Sequence, residues 1–544
     1  MASFDLREQP WIVVETLDRT IVERSTRAVL HDAHELRAIV DESPLVLAAL
    51  TRHLLAILHR AYDGPKTVDD WLAIFRAGRF DAEKIDRYLD SDRARDRMDL
   101  FHPERPFAQT RGLCAHYSGL KAPIKPIEAL ELRMSNWGQA KRLFSHSSPR
   151  RSLSPARAAR ALLAHHAYAM HGTQTRGPNE PISASAGPLV SSAIVIGEGD
   201  NLFETLCLNL NLYDPAHHLP VPCTDTGDVC SWEHVEFRPT PHSTVSNKKV
   251  VEFTRAPFGY LDQLTWLSRR VELVGDETGI SGFVSGVGKG IDDSVARDAM
   301  KVYRRSTEEG WVGIGINPDR AFWRSADALF QVPQAASAQF IRPKALDLLT
   351  TRAVHDAISP SRAFRLSALG LCMDKEKPLE TTILMLRSEH VGLLADSLAQ
   401  PDARVAVTNA LGAAEYVASS LNRSLRLYAR LLLSSNKREP KAKDVSQLAK
   451  SLNAGPNFWS HSGVLFQTML LHLSAPSRAC AEFEVAIVRL VQQVFTDVTS
   501  STGKSGAGLQ ARAHAEGALD FALNKLRPNK QPAQTTPTIA LAEE

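Results

Sequence analysis

The spacing of apolar residues changes along the chain, and this change constrains the fold more than any other feature of the sequence. Up to about residue 375, short β-rich runs such as 190–196 and 271–274 alternate with helical stretches and with joints rich in Pro and Gly. Beyond about residue 383, apolar residues recur mostly every three or four positions, as on one face of a helix. The sequence therefore predicts an α+β protein, with a large mixed α/β globular domain over 1–375 and a helical domain over 383–527.

The C-terminal domain is expected to be an up-down bundle. A long helix should begin at Pro401, and its apolar residues share one face. These residues are Val405, Leu411, Ala414, Val417, Leu421, Leu425 and Tyr428. Further helical patterns cover 384–398, 458–473, 479–498 and 509–526. Four to five helices with short joints are what such a bundle requires.

Composition and cysteine spacing exclude several classes of protein. The chain has 544 residues, 44% hydrophobic and 23% charged, so it is long enough for two to four domains and is not disordered as a whole. Its six cysteines lack zinc-site spacing and argue against a disulfide framework. We expect a cytoplasmic protein with no metal, cofactor, signal peptide or membrane span. The tail over 528–544, rich in Pro, Thr, Gln and Ala, is expected to be disordered.

Catalytic motifs are incomplete or missing. The segment Gly286–Gly290 is similar to a phosphate-binding loop, but that motif needs Gly where Phe283 stands and a hydroxyl where Gly290 stands. His31 and the neighbouring Asp32 and His34 are part of a possible metal site whose other ligands have no recognisable spacing. We therefore identify no reaction centre, and a nucleotide-dependent enzyme that uses Gly286–Gly290 stays open as an alternative.

One segment of the chain is strongly basic. From Arg133 to Arg176 there are eight Lys or Arg residues and no Asp or Glu, although the net charge of the whole chain is only +3. Such a segment, with aromatic side chains that can stack on bases, is a candidate surface for nucleic acid. The candidate residues in it are Lys141, Arg142, Phe144, Arg150 and Arg151. A solvated basic face without a ligand is the alternative.

A helix and a loop are predicted within this basic segment. Ser154 and Pro155 form an N-cap and first-turn pair, which opens a helix that should end at His171. A polar loop should follow and end at Gly177. Gly172 and Gly177 would let the backbone approach a ligand closely, and a C-cap glycine followed by a linker is the alternative.

Several short strings occur together in one order along the chain. They are FDLREQPWI at 4–12, SPL at 43–45, LLAIL at 54–58, RPFAQT at 105–110, LFSH at 143–146, LSPARAARALL at 153–163, YLDQLTWLSRR at 260–270 and FWR at 322–324. In these strings the chain resembles the large subunit of the type I-E CRISPR Cascade surveillance complex, over about residues 1–390. The last third of the chain resembles the family only in being helical, because the family ends in a four-helix bundle.

The resemblance implies a non-catalytic DNA-recognition subunit. Such a subunit finds the protospacer-adjacent motif in double-stranded DNA, helps to open the duplex and recruits a helicase-nuclease, while base pairing to the CRISPR RNA reads the remaining sequence. Its partners would be the backbone, handle-binding and small subunits of Cascade, the CRISPR RNA and the target DNA. A purely structural scaffold that holds RNA is a further alternative.

The resemblance also implies site residues. The family's glycine-rich loop corresponds to Gly172–Gly177, which includes Thr173 and Gln174. Its DNA-contacting lysine maps to Lys301, with Lys289 as the alternative. Its wedge segment falls within 374–382 in one of two registers, neither of which carries the family's Gln-Ala pair. The wedge candidates are Lys375, Lys377, Glu380 and Thr381. Phe144 matches a loop residue that faces RNA or a partner subunit.

Overall fold

The structure is a computed structural model of the chain, and it divides into two compact units, Met1–Ala399 and Gln400–Glu544. It describes all residues except 1–2, 121–122, 132–151, 178–179, 182, 191, 224–226, 235–242, 247–248, 293, 295, 309, 318–319, 331–337, 359–361, 374–383, 395, 435–438, 501–504 and 527–544. No helix among the described residues is both long and apolar enough to cross a membrane.

The first unit mixes short strands and helices. In chain order they are β1 (Ile12–Thr16), β2 (Ile21–Arg24), α1 (Thr26–His31), β3 (Leu36–Ile39), α2 (Pro44–Tyr62), α3 (Val68–Arg76), α4 (Ala82–Leu89), α5 (Leu113–His116), β4 (Lys125–Pro126), α6 (Pro155–Tyr168), β5 (Gly172–Thr173), β6 (Ser183–Ala184), β7 (Ile194–Glu198), α7 (Leu202–Asn209), β8 (Ser243–Ser246), β9 (Lys249–Arg255), α8 (Tyr260–Leu264), β10 (Arg269–Asp276), β11 (Gly279–Val287), β12 (Gly290–Ile291), β13 (Tyr303–Ser306), β14 (Gly310–Gly313), β15 (Phe340–Ile341), α9 (Lys344–Leu349), α10 (Arg352–Ala357), β16 (Ala363–Met373) and β17 (Leu384–Leu394). The second unit contains α11 (Pro401–Leu433), α12 (Ala442–Ser451), α13 (Ala454–Leu471), α14 (Pro476–Ser500) and α15 (Gly506–Leu523).

The described strands form several small sheets rather than one large sheet. Their orders are β2–β1–β3, β10–β11–β4, β12–β9–β8, β14–β13–β15, β17–β16–β7 and β5–β6. All pairs are antiparallel except β12 with β9. The predicted α+β class is confirmed for the first unit, and short antiparallel sheets fit the many Pro- and Gly-rich joints of its sequence.

Helix α2 lies at the centre of the first unit, where it contacts α4, α6, α7, α8 and β16. Its sequence from Leu54 to Leu58 is fully buried. The two polar residues that interrupt its apolar run, Arg52 and His53, are buried as well. Burial lowers the pKa of His53 to about 3, so the imidazole is neutral in the core. Because most of its residues are buried, including polar ones, α2 is a core helix.

The predicted helical C-terminal region is confirmed. Helix α11 contacts the other four helices of the second unit, and α14 also contacts α13 and α15. The apolar stripe of α11 is buried as predicted from Leu411 to Tyr428, but Val405 is 57% exposed. Its neighbour Val407 occupies the inward position instead. Four of the described helices of the second unit have 18 residues or more and α12 has ten, so a four-helix bundle made of the long ones stays a prediction.

The prediction of a helix over 384–398 is wrong. Residues Leu384–Leu394 form β17, which pairs along its whole length with β16, from Leu384 opposite Met373 to Leu394 opposite Ala363. Pairing with a strand elsewhere in the fold overrides a local helical spacing. The two units therefore divide after Ala399, and the predicted boundary at 375–383 falls between two paired strands of the first unit.

Candidate nucleic-acid interface

The loop predicted to approach a ligand follows helix α6, which begins where the sequence predicts. The Ser154 hydroxyl accepts a hydrogen bond of 3.3 Å from the Arg157 amide, and Pro155 occupies the first turn. The helix ends at Tyr168 rather than at His171. Just beyond it, the buried Arg269 donates to the carbonyls of residues 169 (3.3 Å) and 170 (2.6 Å). Arg269 thus satisfies the first two carbonyls beyond the helix.

We call residues 172–177 the glycine loop. Its first two residues form a short strand pair, with Gly172 opposite Ala184 and Thr173 opposite Ser183. The φ angle of Gly172 is +149°, a value that favours glycine, whereas an added Cβ would meet no atom within 4 Å. Glycine is required at this position by backbone conformation and not by a close neighbour.

A half-buried carboxylate, that of Glu180, holds the other end of the glycine loop. The Gly177 amide donates to Glu180 Oε2 (2.6 Å), and the same carboxylate accepts from Tyr117 Oη (2.7 Å) and Arg270 Nη2 (2.6 Å). Burial raises the pKa of Glu180, but these hydrogen bonds outweigh it and lower the pKa to about 2. An added Cβ at Gly177 would lie 3.0 Å from His116 Nε2. Gly177 thus packs against His116 and Glu180, and its approach to a ligand stays a prediction.

The middle of the glycine loop lies on strand β11. Thr175 forms a parallel bridge with Gly286. The Gln174 side-chain carbonyl accepts from Lys125 Nζ (3.2 Å) and from Ser285 Oγ (3.4 Å). Burial and the neighbouring Arg269 lower the pKa of Lys125. Gln174, predicted as a DNA contact, is therefore engaged in fixing the loop.

Thr173 and Arg176 are the exposed side chains of the glycine loop. A hydroxyl and a guanidinium are both suited to phosphate contacts. Thr173 was among the predicted site residues. Arg176 was not a predicted site residue and entered the sequence analysis only as the last cation of the basic segment. Nothing local in the sequence shows that its side chain faces solvent while neighbouring residues of the loop are bonded within the protein.

The structure places Lys301 in the interior. It is 5% exposed, and its Nζ donates to the carbonyl of Pro188 (2.6 Å). It lies beside a buried ion pair, in which Arg52 Nη1 is 2.8 Å from Asp298 Oδ2. Burial raises the pKa of Asp298, but the charges of Arg52 and Lys301 lower it overall. The ammonium of Lys301 is thus held within the protein, which favours the alternative, Lys289, and the mapping of the DNA-contacting lysine stays a prediction.

The alternative lysine, Lys289, reaches a surface cavity. It lies between β11 and β12, three residues after Gly286, which bridges the glycine loop. Its carbonyl accepts from Trp266 Nε1 (2.9 Å), and burial together with Arg255 lowers its pKa. The cavity that it lines has a volume of about 540 Å³. Of the two lysines, Lys289 is the one that lines this surface cavity.

Residues 5–497 match the family model described as CRISPR-associated protein Cse1. The chain belongs to the Cse1 family. Its resemblance to the large subunit of type I-E Cascade is thereby confirmed. A curated relative from Thermus thermophilus, CRISPR-associated protein CasA/Cse1, is 29% identical over 468 residues, which is 84% of this chain and 85% of the relative.

Solved structures share the fold of this Cse1-family chain. The crystal structure of Thermus thermophilus CasA has a TM-score of 0.77 at 24% identity, covering 96% of this chain and 99% of that one. A chain of a CRISPR RNA-guided surveillance complex has a TM-score of 0.73 at 20% identity, covering 96% and 100%. The likeness extends through both units of the chain.

Nine predicted contact residues of this Cse1-family chain lie outside the described residues. They are Lys141, Arg142, Phe144, Arg150 and Arg151 of the basic segment, and Lys375, Lys377, Glu380 and Thr381 of the wedge. Two further cations of the basic segment are described. Arg157 Nε is 2.6 Å from Glu131, and Arg160 Nη1 is 3.0 Å from Glu23. The basic segment contains no Asp or Glu itself, but in the fold these two arginines pair with carboxylates from other parts of the chain.

The phosphate-loop interpretation of Gly286–Gly290 is wrong. Gly286 lies within β11 and Gly290 begins β12, whereas a phosphate loop leads into a helix N-terminus. A Cβ at Gly286 would collide with the Tyr117 hydroxyl, and one at Gly288 would lie 2.5 Å from the Ser268 backbone. These glycines allow close packing of the chain.

The possible metal site at His31 has an ordinary explanation in the fold. His31 Nε2 lies 3.0 Å from Asp86 Oδ1, and Asp32 caps the end of α1. Among the described residues, no three His, Cys, Asp or Glu side chains are grouped to hold a metal ion. The expectation that the protein binds no metal or cofactor stays a prediction.

Proposed function

We propose that this Cse1-family chain recognises the protospacer-adjacent motif in double-stranded DNA through its glycine loop. The observation that carries the proposal is the anchoring of this loop at both ends, by the pairing with β6 and by Glu180, which leaves Thr173 and Arg176 directed to solvent. The DNA minor groove offers few distinct hydrogen-bonding groups. Recognition there depends on close approach of a fixed backbone with a small number of polar and cationic side chains.

Lys289 is the lysine that we assign to this interface. Its position beyond Gly286 supports the assignment, because Gly286 contacts the glycine loop through Thr175. Lys301 has a structural role instead, since its ammonium is bonded to the carbonyl of Pro188. We also include the wedge candidates over 374–382 as DNA contacts, and this assignment rests on the family resemblance alone.

The chain acts without catalysis in this proposal. The CRISPR RNA reads the target by base pairing, while this subunit reads the short motif and helps to open the duplex. A separate helicase-nuclease, recruited after motif recognition, cleaves the DNA. The backbone, handle-binding and small subunits of Cascade are the protein partners.

The test is duplex binding by the reconstituted complex across a randomised library of adjacent motifs. Gly172→Ala strains the loop backbone without a steric clash and should reduce the ratio of dissociation constants between scrambled and preferred motifs. Gly78→Ala is the matched control, because Gly78 also has a positive φ (+69°) with no atom near a Cβ but lies after α3. If both variants assemble normally and keep the full ratio, the glycine loop does not read the motif, and a purely structural scaffold becomes the better account.

A further inference from the structure

The cavity beside Lys289 is strongly cationic. Its volume is about 540 Å³, and its described lining residues include five cations and two carboxylates. The cations are Arg97, Arg105, Arg111, Arg255 and Lys289, and the carboxylates are Glu104 and Asp262. The wall also contains Trp232, Phe258 and Trp266. In a chain with a net charge of only +3, this is a marked local excess of positive charge.

One of the two carboxylates is already engaged. Asp262 accepts two hydrogen bonds from Arg255, Nη1 to Oδ2 at 2.5 Å and Nη2 to Oδ1 at 2.9 Å, and a third from the Phe258 amide at 2.9 Å. The Arg255 guanidinium lies 4.4 Å from the Phe258 ring centre and 4.2 Å from that of Trp266. Arg255 is thus fixed in the wall by an ion pair and two rings.

Two guanidinium groups of the cavity, those of Arg97 and Arg105, lie close enough for their charges to interact. Arg97 and Arg105 have no ion-pair partner in the described part of the chain, and Arg97 Nη1 donates only a long bond of 3.4 Å to the His234 carbonyl. Burial and the charge of Arg105 lower the pKa of Arg97. The charges of Asp96 and Glu233 oppose this lowering, although the Glu233 carboxylate is itself bonded to Arg60 at 2.8 and 2.6 Å.

Buried polar atoms in the wall also lack partners. Arg255 Nε and His234 Nε2 are buried, and neither has a hydrogen-bond partner among the described residues. Both residues line the cavity. Unpaired buried donors are costly, and an anion in the cavity would satisfy the Arg255 Nε–H group. His234 Nε2, which lies 4.0 Å from Asp262 Oδ1, would donate to the anion only when it carries a proton. The wall is therefore arranged to receive negatively charged oxygen atoms.

We propose that this cavity binds a backbone phosphate of single-stranded nucleic acid, together with its nucleotide. Guanidinium groups pair with phosphate oxygens through two parallel hydrogen bonds, which suits a cavity with several arginines. Cavities of roughly 300–1,000 Å³ hold small organic ligands, so this one has room for a nucleotide but not for a duplex. The site goes beyond motif reading, which concerns double-stranded DNA at the glycine loop.

The test compares the full chain with two double variants that carry the same change of charge. Arg97→Glu with Arg105→Glu should weaken the binding of a labelled oligothymidylate, measured by fluorescence anisotropy, by about tenfold or more. Arg93→Glu with Arg95→Glu is the control, because both side chains are exposed on the preceding turn and do not line the cavity. Arg105→Glu alone should cause a smaller loss of affinity. Because Arg105 is exposed, this single variant should fold normally and so keeps the test valid if the double variant misfolds.

Hydrogen exchange of the backbone amides locates the ligand. The oligonucleotide should slow exchange over 104–111 and 262–267 in the unmodified chain. Equal loss of affinity in the two double variants would overturn the proposal in favour of general electrostatic attraction. Protection of these segments by inorganic phosphate to the same degree would show a site for the free anion and overturn the assignment to a nucleic-acid strand. Motif preference for duplex is measured separately, so the two proposals fail independently.

Discussion

The Gly177 amide donates a hydrogen bond of 2.6 Å to the Glu180 carboxylate, which also accepts from Tyr117 and Arg270. One carboxylate therefore ties the end of the glycine loop to α5 and β10, two elements of the neighbouring structure. This relationship makes the loop a fixed surface. A fixed backbone loses little conformational freedom when it meets DNA, which favours specific recognition.

Glu180→Ala should loosen the glycine loop. It removes the acceptor of the buried Tyr117 hydroxyl, whereas the Arg270 guanidinium keeps the Val287 carbonyl and the Tyr117 hydroxyl as acceptors. We therefore expect a loss of stability of about 1–3 kcal/mol. Motif discrimination by the reconstituted complex should fall as well, while affinity for scrambled motifs changes little. Thermal unfolding and duplex binding measure the two effects. Glu277→Ala, at an exposed carboxylate in the β10–β11 turn, is the control and should change neither.

The stabilising effect of Glu180 should depend on pH. Its pKa is lowered from the usual 4.5 to about 2, so the folded state favours the ionised form. The stabilisation is therefore complete above about pH 4.5 and declines as the pH falls towards about 2. The difference in unfolding temperature between the unmodified chain and Glu180→Gln should be constant near neutral pH and shrink on acidification. A difference that grows below pH 4.5 would contradict the assignment.

The buried ion pair between Arg52 and Asp298 should be critical for the first unit. Its two side chains are 3% and 2% exposed, and Arg52 Nη2 also donates to the Gln263 carbonyl (2.7 Å). Removing one partner leaves a buried charge, so Arg52→Ala should destabilise the protein by about 3–5 kcal/mol. Arg478→Ala breaks an exposed pair with Glu482 and should leave the free energy of unfolding almost unchanged. Chemical denaturation of both variants distinguishes these outcomes.

The two lysines should respond differently to substitution. Lys301→Ala removes a buried ammonium that is bonded to Pro188, so it should lower the unfolding temperature and leave the motif ratio unchanged. Lys289→Ala should weaken duplex binding by about 1–3 kcal/mol if the ammonium reaches DNA, with little effect on folding. The reverse pattern, with motif discrimination lost only in Lys301→Ala, would restore the mapping implied by the family resemblance.

Local features of the fold were predictable from the sequence. The start of α6 follows from the Ser154 cap and Pro155, both of which act on their own first turn. The stripe of α11 follows from the 3.6-residue period, except at Val405, one turn from the start of the helix. The order of the short strings predicted the family correctly.

Features that depend on distant residues were not predictable. The segment 384–398 has helical spacing, but pairing with β16 makes its first part a strand. The inward position of Lys301 depends on Asp298, whose partner Arg52 is 246 residues away in sequence. Likewise, Arg157 and Arg160 find carboxylates outside the basic segment. The spacing of apolar residues within a short stretch of sequence gives no information about partners that lie elsewhere in the chain.

The most direct test of the central claim is disulfide tethering between the glycine loop and DNA in the reconstituted complex. Thr173→Cys places a thiol at an exposed position of the loop, and the duplex carries a thiol linker in the minor groove either beside the adjacent motif or far from it. Leu17→Cys is the control at a position that is 55% exposed outside the loop. We predict rapid cross-linking of Thr173→Cys only to the linker beside the motif, and little with Leu17→Cys or the unmodified chain. Equal cross-linking at both linker positions, or none with Thr173→Cys, would contradict the account.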